Sequence, residues 1–407
     1  MTSPPLLIRD QTTAHSLTPK GHMILQARRT LSGVLLAMAI AIGSANAQTT
    51  YPNVKLTGRL HEQFYYFDNE PYAATAGAKD NFFTRRARIE ARGQISENVT
   101  VYIQPSFEGG RNLSNVVTTC TGTPLTCRTT GRSGLRLRDA WIDVRFSPEA
   151  AKGALYLRAG QEKRPYSRYE LTSSTNLPSI ERGAGQGLVA RASNDLFGAN
   201  GFLAHDVGAS VRYEYKLDDS RLVTLKLGAY NGQGESLNDV NNKKSFGARA
   251  TFGVYSKLDV GGSWFAHDGI VTAGATPDSA FTNYAWGVDA QWGKPGDEGF
   301  FVLGEYLDGN DATAAKNKIR GIQGLAAYNY RFKSPTSWLY AVEPSFRIDL
   351  ADPNTSVDDD RSTLITAVLG IYMSSKAQLR VAYERQSFQG DVTPSISGIR
   401  SALTVNF

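Results

Sequence analysis

The stretch NFFTRRARIEARGQ, Asn81 to Gln94, sets four arginines and a glutamate into a run that alternates like a β-strand. At a period of two, Thr84, Arg86, Arg88, Glu90, Arg92 and Gln94 share one face, and Phe83, Arg85, Ala87, Ile89 and Ala91 share the other. A wet row of guanidinium groups presents fixed forks of N–H donors, which is the chemistry of anion contact. The polar faces of other alternating runs add Arg59, Arg158 and Arg212, with Lys55, Lys216, Lys226, Arg249, Arg347, Arg380 and Arg400, against fewer acids. Hydrolytic chemistry would need a nucleophile beside a histidine and a carboxylate. His61, His205 and His267 instead lie in three separate runs without such a motif, so an enzyme is not expected. Cys120 and Cys127, the only cysteines, fall in the Thr/Gly/Pro-rich loop TTCTGTPLTCRTT and read as a local disulfide. A metal site would need more ligands than that loop offers, and no cofactor is expected.

The elements that must hold these residues are strands. The 407-residue chain has 39 glycines, 19 tyrosines and 18 phenylalanines, a β-rich composition with many turns. Its net charge of +6 is scattered through the strand-like runs instead of gathered in a patch, which argues against nucleic acid as a partner. Residues 23–47 combine basic, apolar and small-residue segments (Arg28-Arg29, Leu31 to Ile42, Ser44 to Ala47) as a secretory signal does, and 1–22 read as an upstream extension. Residues 48–407 are then the exported domain. No later segment approaches twenty uninterrupted apolar residues.

About sixteen alternating runs follow: 54–67, 82–94, 98–108, 135–146, 154–162, 205–217, 220–231, 243–254, 257–267, 281–292, 298–307, 318–332, 337–349, 361–374, 376–387 and 396–407. Tight connections (Ser96-Glu97, Asp218-Asp219, Ser374-Ser375) alternate with long ones (68–81, 109–134, 163–204, 232–242, 351–360). One face of nearly every run is apolar and the other too charged for an ordinary core. In lipid every backbone group must be paired and only a lumen can hydrate charge, so the expected fold is all-β, a transmembrane antiparallel β-barrel of about sixteen strands. Arg85 and Arg138 fall on the apolar face, where a bulge, snorkelling or a subunit contact would have to accommodate them.

The ending IRSALTVNF sets Ile399, Leu403, Val405 and Phe407 on one face, and it resembles the carboxy-terminal signal read by the outer-membrane barrel-assembly machinery. Several stretches together resemble the phosphate-selective porins O and P. They are Phe83 to Ile89, Arg138 to Ile142, Leu157 to Tyr166, Glu170 to Ser174, Ile180-Glu181-Arg182 and Tyr230 to Gly234. The resemblance implies a homotrimer of sixteen-stranded barrels in outer-membrane lipid, each barrel passing small anionic or polar solutes. It also implies that the loop near 163–204 folds inward as a constriction. Arg164, Arg168, Ser173 and Ser174 would then face a wall carrying Arg59, Arg86 and Arg88. Glu170 and Thr175 stand where phosphate-selective members carry lysine, so the expected preference for anions such as phosphate is weak to moderate. A non-selective diffusion pore is the alternative.

Overall fold

The computed structural model describes residues 51–108, 117–121, 126–130, 136–148, 152–235, 237, 239, 243–270, 280–313, 315–333, 338–390 and 395–407. The upstream extension expected at 1–22 and the secretory signal expected at 23–47 lie outside the described residues. Among the described residues eighteen strands form: β1 (Asn53–Phe67), β2 (Asp80–Gln94), β3 (Val99–Ser106), β4 (Val117–Thr121), β5 (Thr126–Thr130), β6 (Arg136–Arg145), β7 (Gly153–Lys163), β8 (His205–Lys216) and β9 (Leu222–Tyr230), followed by β10 (Ser245–Tyr255), β11 (Leu258–Ile270), β12 (Ala280–Trp292), β13 (Gly299–Asn310), β14 (Lys318–Arg331), β15 (Ala341–Asp352), β16 (Ser362–Tyr372), β17 (Ala377–Phe388) and β18 (Ile396–Asn406).

Sixteen of them close one antiparallel barrel, and β4 and β5 pair apart from it as a hairpin. Closure joins β1 to β18, with Arg59 opposite Asn406 and Tyr66 opposite Ile399. Alternation decides what each face meets. On β1 the inward Arg59, His61, Gln63 and Tyr65 are buried, while Leu60 and Tyr66 are exposed outward opposite Val405 and Ile399 of β18. The same outward exposure recurs in Leu227, Phe246, Trp264, Trp286, Phe300 and Phe346. A closed ladder with an apolar exterior leaves no backbone edge for lipid to meet. Among the described residues no helix is long and apolar enough to cross a membrane, which says nothing about strands.

The structure departs from strict alternation at two places. Between β1 and β2 the register slips, so that His61 faces Arg86 and Glu62 faces Thr84, leaving Arg85 as an extra residue. Between β3 and β6 Gln104 faces Asp139 and Pro105 faces Leu137, leaving Arg138 as the extra residue. Such bulges re-aim a side chain. Arg85 turns inward to Glu181, Nε to Oε1 2.7 Å, and Arg138 pairs with Glu235. Of the three accommodations expected for these arginines on the apolar face, the structure shows the bulge at both. The β4–β5 hairpin was not expected. It sets Cys120 directly opposite Cys127 along the backbone, and their side chains lie outside the described residues.

Candidate functional site

Residues 164–204 connect β7 to β8 and line the inside of the barrel. A loop in that position must satisfy its backbone groups on the wall. The first leg descends along β12 to β14. Tyr166 Oη donates to the Trp286 carbonyl at 2.9 Å, and Ser167 Oγ and the Arg168 amide donate to the two oxygens of Glu305 at 2.8 and 2.6 Å. Arg168 itself pairs with Asp289. Tyr169 of the helical turn Arg168–Leu171 and Leu177 beyond it pack on Phe301, Leu303, Leu325 and Ala327, one of several apolar patches on the inner face. Near its turning point the loop meets β1, where Arg59 Nη1 donates to Ser174 Oγ at 2.7 Å.

The returning leg is held by donors from β15 to β18. Arg347 Nη1 reaches the Glu181 carbonyl at 3.1 Å, and Arg400 Nη2 reaches those of Ala184 and Gln186 at 3.1 and 2.9 Å. Gln386 exchanges two hydrogen bonds with the Val189 backbone, each 2.9 Å. The helix Ser193–Ala199 starts on Asp349, which accepts from both the amide and the hydroxyl of Ser193 at 2.8 and 2.7 Å. Gly187, at φ +86°, lies so close to the wall that a Cβ would sit 2.5 Å from Phe67 and 2.7 Å from Tyr65. Glu181 is the junction between loop and β2, pairing with Arg85 and, at 3.6 Å, with Arg86.

Pressed against β11 to β18, the loop leaves the passage along β2, β3 and β6 to β9, whose inward side chains remain partly exposed. There Tyr102 and Trp141 stack, ring centroids 5.1 Å apart, and the Arg158 guanidinium lies 3.7 Å over Trp141. Arg158 also pairs with Asp143 and Glu162 at 2.8 and 3.3 Å. Arg212 lies over Tyr156 at 4.3 Å and pairs with Asp143 and Glu214 at 3.3 and 2.8 Å. Arg88 is bound by Glu108. Arg92, exposed, stands opposite Lys55 at the far end of β2 and forms no ion pair among the described residues.

Of the loop residues singled out in the sequence, Ser173 is exposed and Ser174 holds Arg59. Arg164 is buried on Asp206 at 2.7 Å. Arg86, 2% exposed, lies between Glu181 and His61. Arg59 is set directly opposite Arg88 in the β1–β2 register, and its hydrogen-bond partners, Ser174 and Asn406, are both neutral. Glu170 is not a bare negative charge: Lys163 lies 3.3 Å away and Arg182 3.4 Å. Burial pushes its carboxyl up, but Lys163 and Arg182 outweigh this and hold it down at about 2. Arg182, which pairs with Glu170 and donates to the Tyr169 and Thr172 carbonyls, was not singled out in the sequence. Its signal was its place in Ile180-Glu181-Arg182, directly after the carboxylate that anchors the loop.

By sequence, residues 54–281 match the family described as phosphate-selective porin O and P. No curated protein matches the chain. In fold it is similar to an anion-selective porin from Comamonas acidovorans, with a TM-score of 0.55 and 11% identity over 88% of this chain and 100% of that one. It is similar also to the outer membrane channel DcaP of Acinetobacter baumannii (TM-score 0.55, 13% identity, 90% and 100% covered). OmpF of Salmonella typhi gives a TM-score of 0.55 at 14% identity, with 88% and 98% covered. At such identities the likeness is one of fold.

Proposed function

The chain belongs to the phosphate-selective porin O and P family, and within it we propose a passive outer-membrane channel with a weak to moderate preference for small anions such as phosphate. Family and fold point to a channel rather than a catalyst. The observation that carries the preference is Arg59. It sits where the loop meets the wall, faces the like charge of Arg88 and is bonded only to neutral groups. A cation held by neutral partners keeps its field in the passage, where it lowers the cost of stripping water from an anion. Arg92, exposed and without an ion pair among the described residues, extends that field, Lys163 and Arg182 are held by Glu170, and Ser173 and Ser174 supply hydroxyl donors. On this reading Arg86, Arg164 and Arg168 position the loop, while Arg88, Arg158 and Arg212, each on a carboxylate, tune the wall. The barrel works as a homotrimer, exported by the signal at 23–47.

A second reading, a general diffusion pore, is favoured by the pairing of Arg158 and Arg212 with Asp143, Glu162 and Glu214, which balances charge along the open wall. Reversal potentials across a potassium chloride gradient separate the two. Arg59→Gln should move the potential toward the cation side with single-channel conductance changed less than about twofold, a loss on the order of 0.5 kcal/mol in anion preference. An unchanged potential in inserted Arg59→Gln channels refutes the anion preference and leaves the general pore.

A further inference from the structure

Under the loop's returning leg, the inner wall holds a cluster used by neither the passage nor the loop's anchors. Arg380 points inward from β17 and is 2% exposed. Its Nε and Nη2 have no hydrogen-bond partner, and among the described residues it is the one side chain with two such buried atoms. It forms no ion pair among those residues. Gln378 Oε1 and Thr404 Oγ1 are also buried and unpartnered, and the β17–β18 register sets these two residues opposite each other. The positions around Arg380 are small: Gly370 across on β16, Ala402 across on β18, and Ala382 two residues along the strand. Ile180 of the loop packs on Val368, Ala382 and Ala402 and closes the lumenal side.

The charges around this pocket do not balance. Tyr372 stands beside Arg380 and donates to Glu343 at 3.0 Å, so that carboxylate acts on Arg380 only at one remove. On the other side His61, opposite Thr404, contacts Arg86, which shares Glu181 with Arg85. Three guanidinium groups thus stand against two carboxylates. Donors of a buried guanidinium are costly to leave unmet, and an occupant that accepts from adjacent Nε–H and Nη2–H while carrying negative charge satisfies both demands.

We propose that this is a binding site for a small inorganic anion of halide size, seated behind the loop and off the passage. Arg380 forms its fork, Thr404 Oγ donates, and the Gln378 amide, turned to present its nitrogen, is the third donor. Crystals of the detergent-purified protein soaked in bromide should show an anomalous peak within hydrogen-bond reach of Arg380 and Thr404, absent in Arg380→Gln. In solution, the temperature at which the folded gel band is lost should rise by several degrees when chloride replaces gluconate at constant ionic strength, because binding to the native state alone stabilises it. Arg380→Gln should abolish that dependence, and Thr404→Val should shift it to higher chloride. Should Arg380→Gln fail to insert, the wild-type bromide peak and Thr404→Val decide. Absence of the peak with equal temperatures in chloride and gluconate assigns these donors to water and overturns the proposal, as does a peak that persists in Arg380→Gln. The reversal potential of Arg380→Gln should match the wild type, so this test and that of the anion preference fail independently.

Discussion

Along β12 to β18 nearly every inward side chain is buried beneath the loop, whereas along β2, β3 and β6 to β9 many stand half-exposed beside the passage. Both walls carry arginines at inward positions, but their donors go to different partners. Arg347 and Arg400 direct donors to loop carbonyls as well as to Asp349 and Glu384; Arg158 and Arg212 lie over aromatic rings and share carboxylates of the wall alone. An inward arginine is therefore not by itself a pore contact. What decides its role is whether something buried needs its protons.

The comparison breaks most visibly if the covered wall is uncovered. Arg347→Met combined with Arg400→Met strips the donors from Glu181 to Gln186 and leaves Asp349 and Glu384 without their cations. A loss of roughly 3–5 kcal/mol for each broken pair should release the loop, raise single-channel conductance severalfold and erase selectivity. Gly187→Ala should do so more mildly. Its left-handed backbone and the 2.5 Å approach to Phe67 make a Cβ cost about 1–3 kcal/mol, seen as noisier and larger currents.

Smaller effects sharpen the open side. Glu170→Gln should release Lys163 and Arg182 toward the passage and raise the chloride-to-potassium permeability ratio about twofold. In the wild type the folded value of Glu170, about 2, lies below its ordinary 4.5. Its stabilising contribution is complete above the ordinary value and is lost as pH falls through the folded one, so selectivity measured from roughly pH 7 down to pH 4.5 should be insensitive to this group. Arg212→Gln should have the least effect, a few tenths of a kcal/mol in permeability ratio, vanishing near 1 M salt where screening acts within about 3 Å.

Period-two alternation made all sixteen wall strands legible, together with the polar face of each, because a lipid-facing strand has no other way to satisfy its surroundings. It failed at Arg85 and Arg138, where one inserted residue resets the period and nothing in residue type announces it. The β4–β5 hairpin was hidden by its Thr-rich composition. At the site, alternation identified Arg59, Arg86, Arg88 and Arg158 as inward but could not name partners more than a hundred positions away, such as Ser174 for Arg59 or Asp289 for Arg168. One trace of the loop's docking was present in Phe300 to Leu303, apolar on both faces, since a lumen residue stays greasy only where something dry rests on it.

A ring of hydrogen-bonded strands resists stretching around its circumference but yields readily to being flattened into an oval. The connection between β7 and β8 is fastened to β1, β2, β12, β13, β15, β17 and β18, which makes it a strut across that ring. The cross-section of the aperture is thereby fixed from inside, and lateral squeezing by the surrounding bilayer reaches a travelling solute only after this brace gives way.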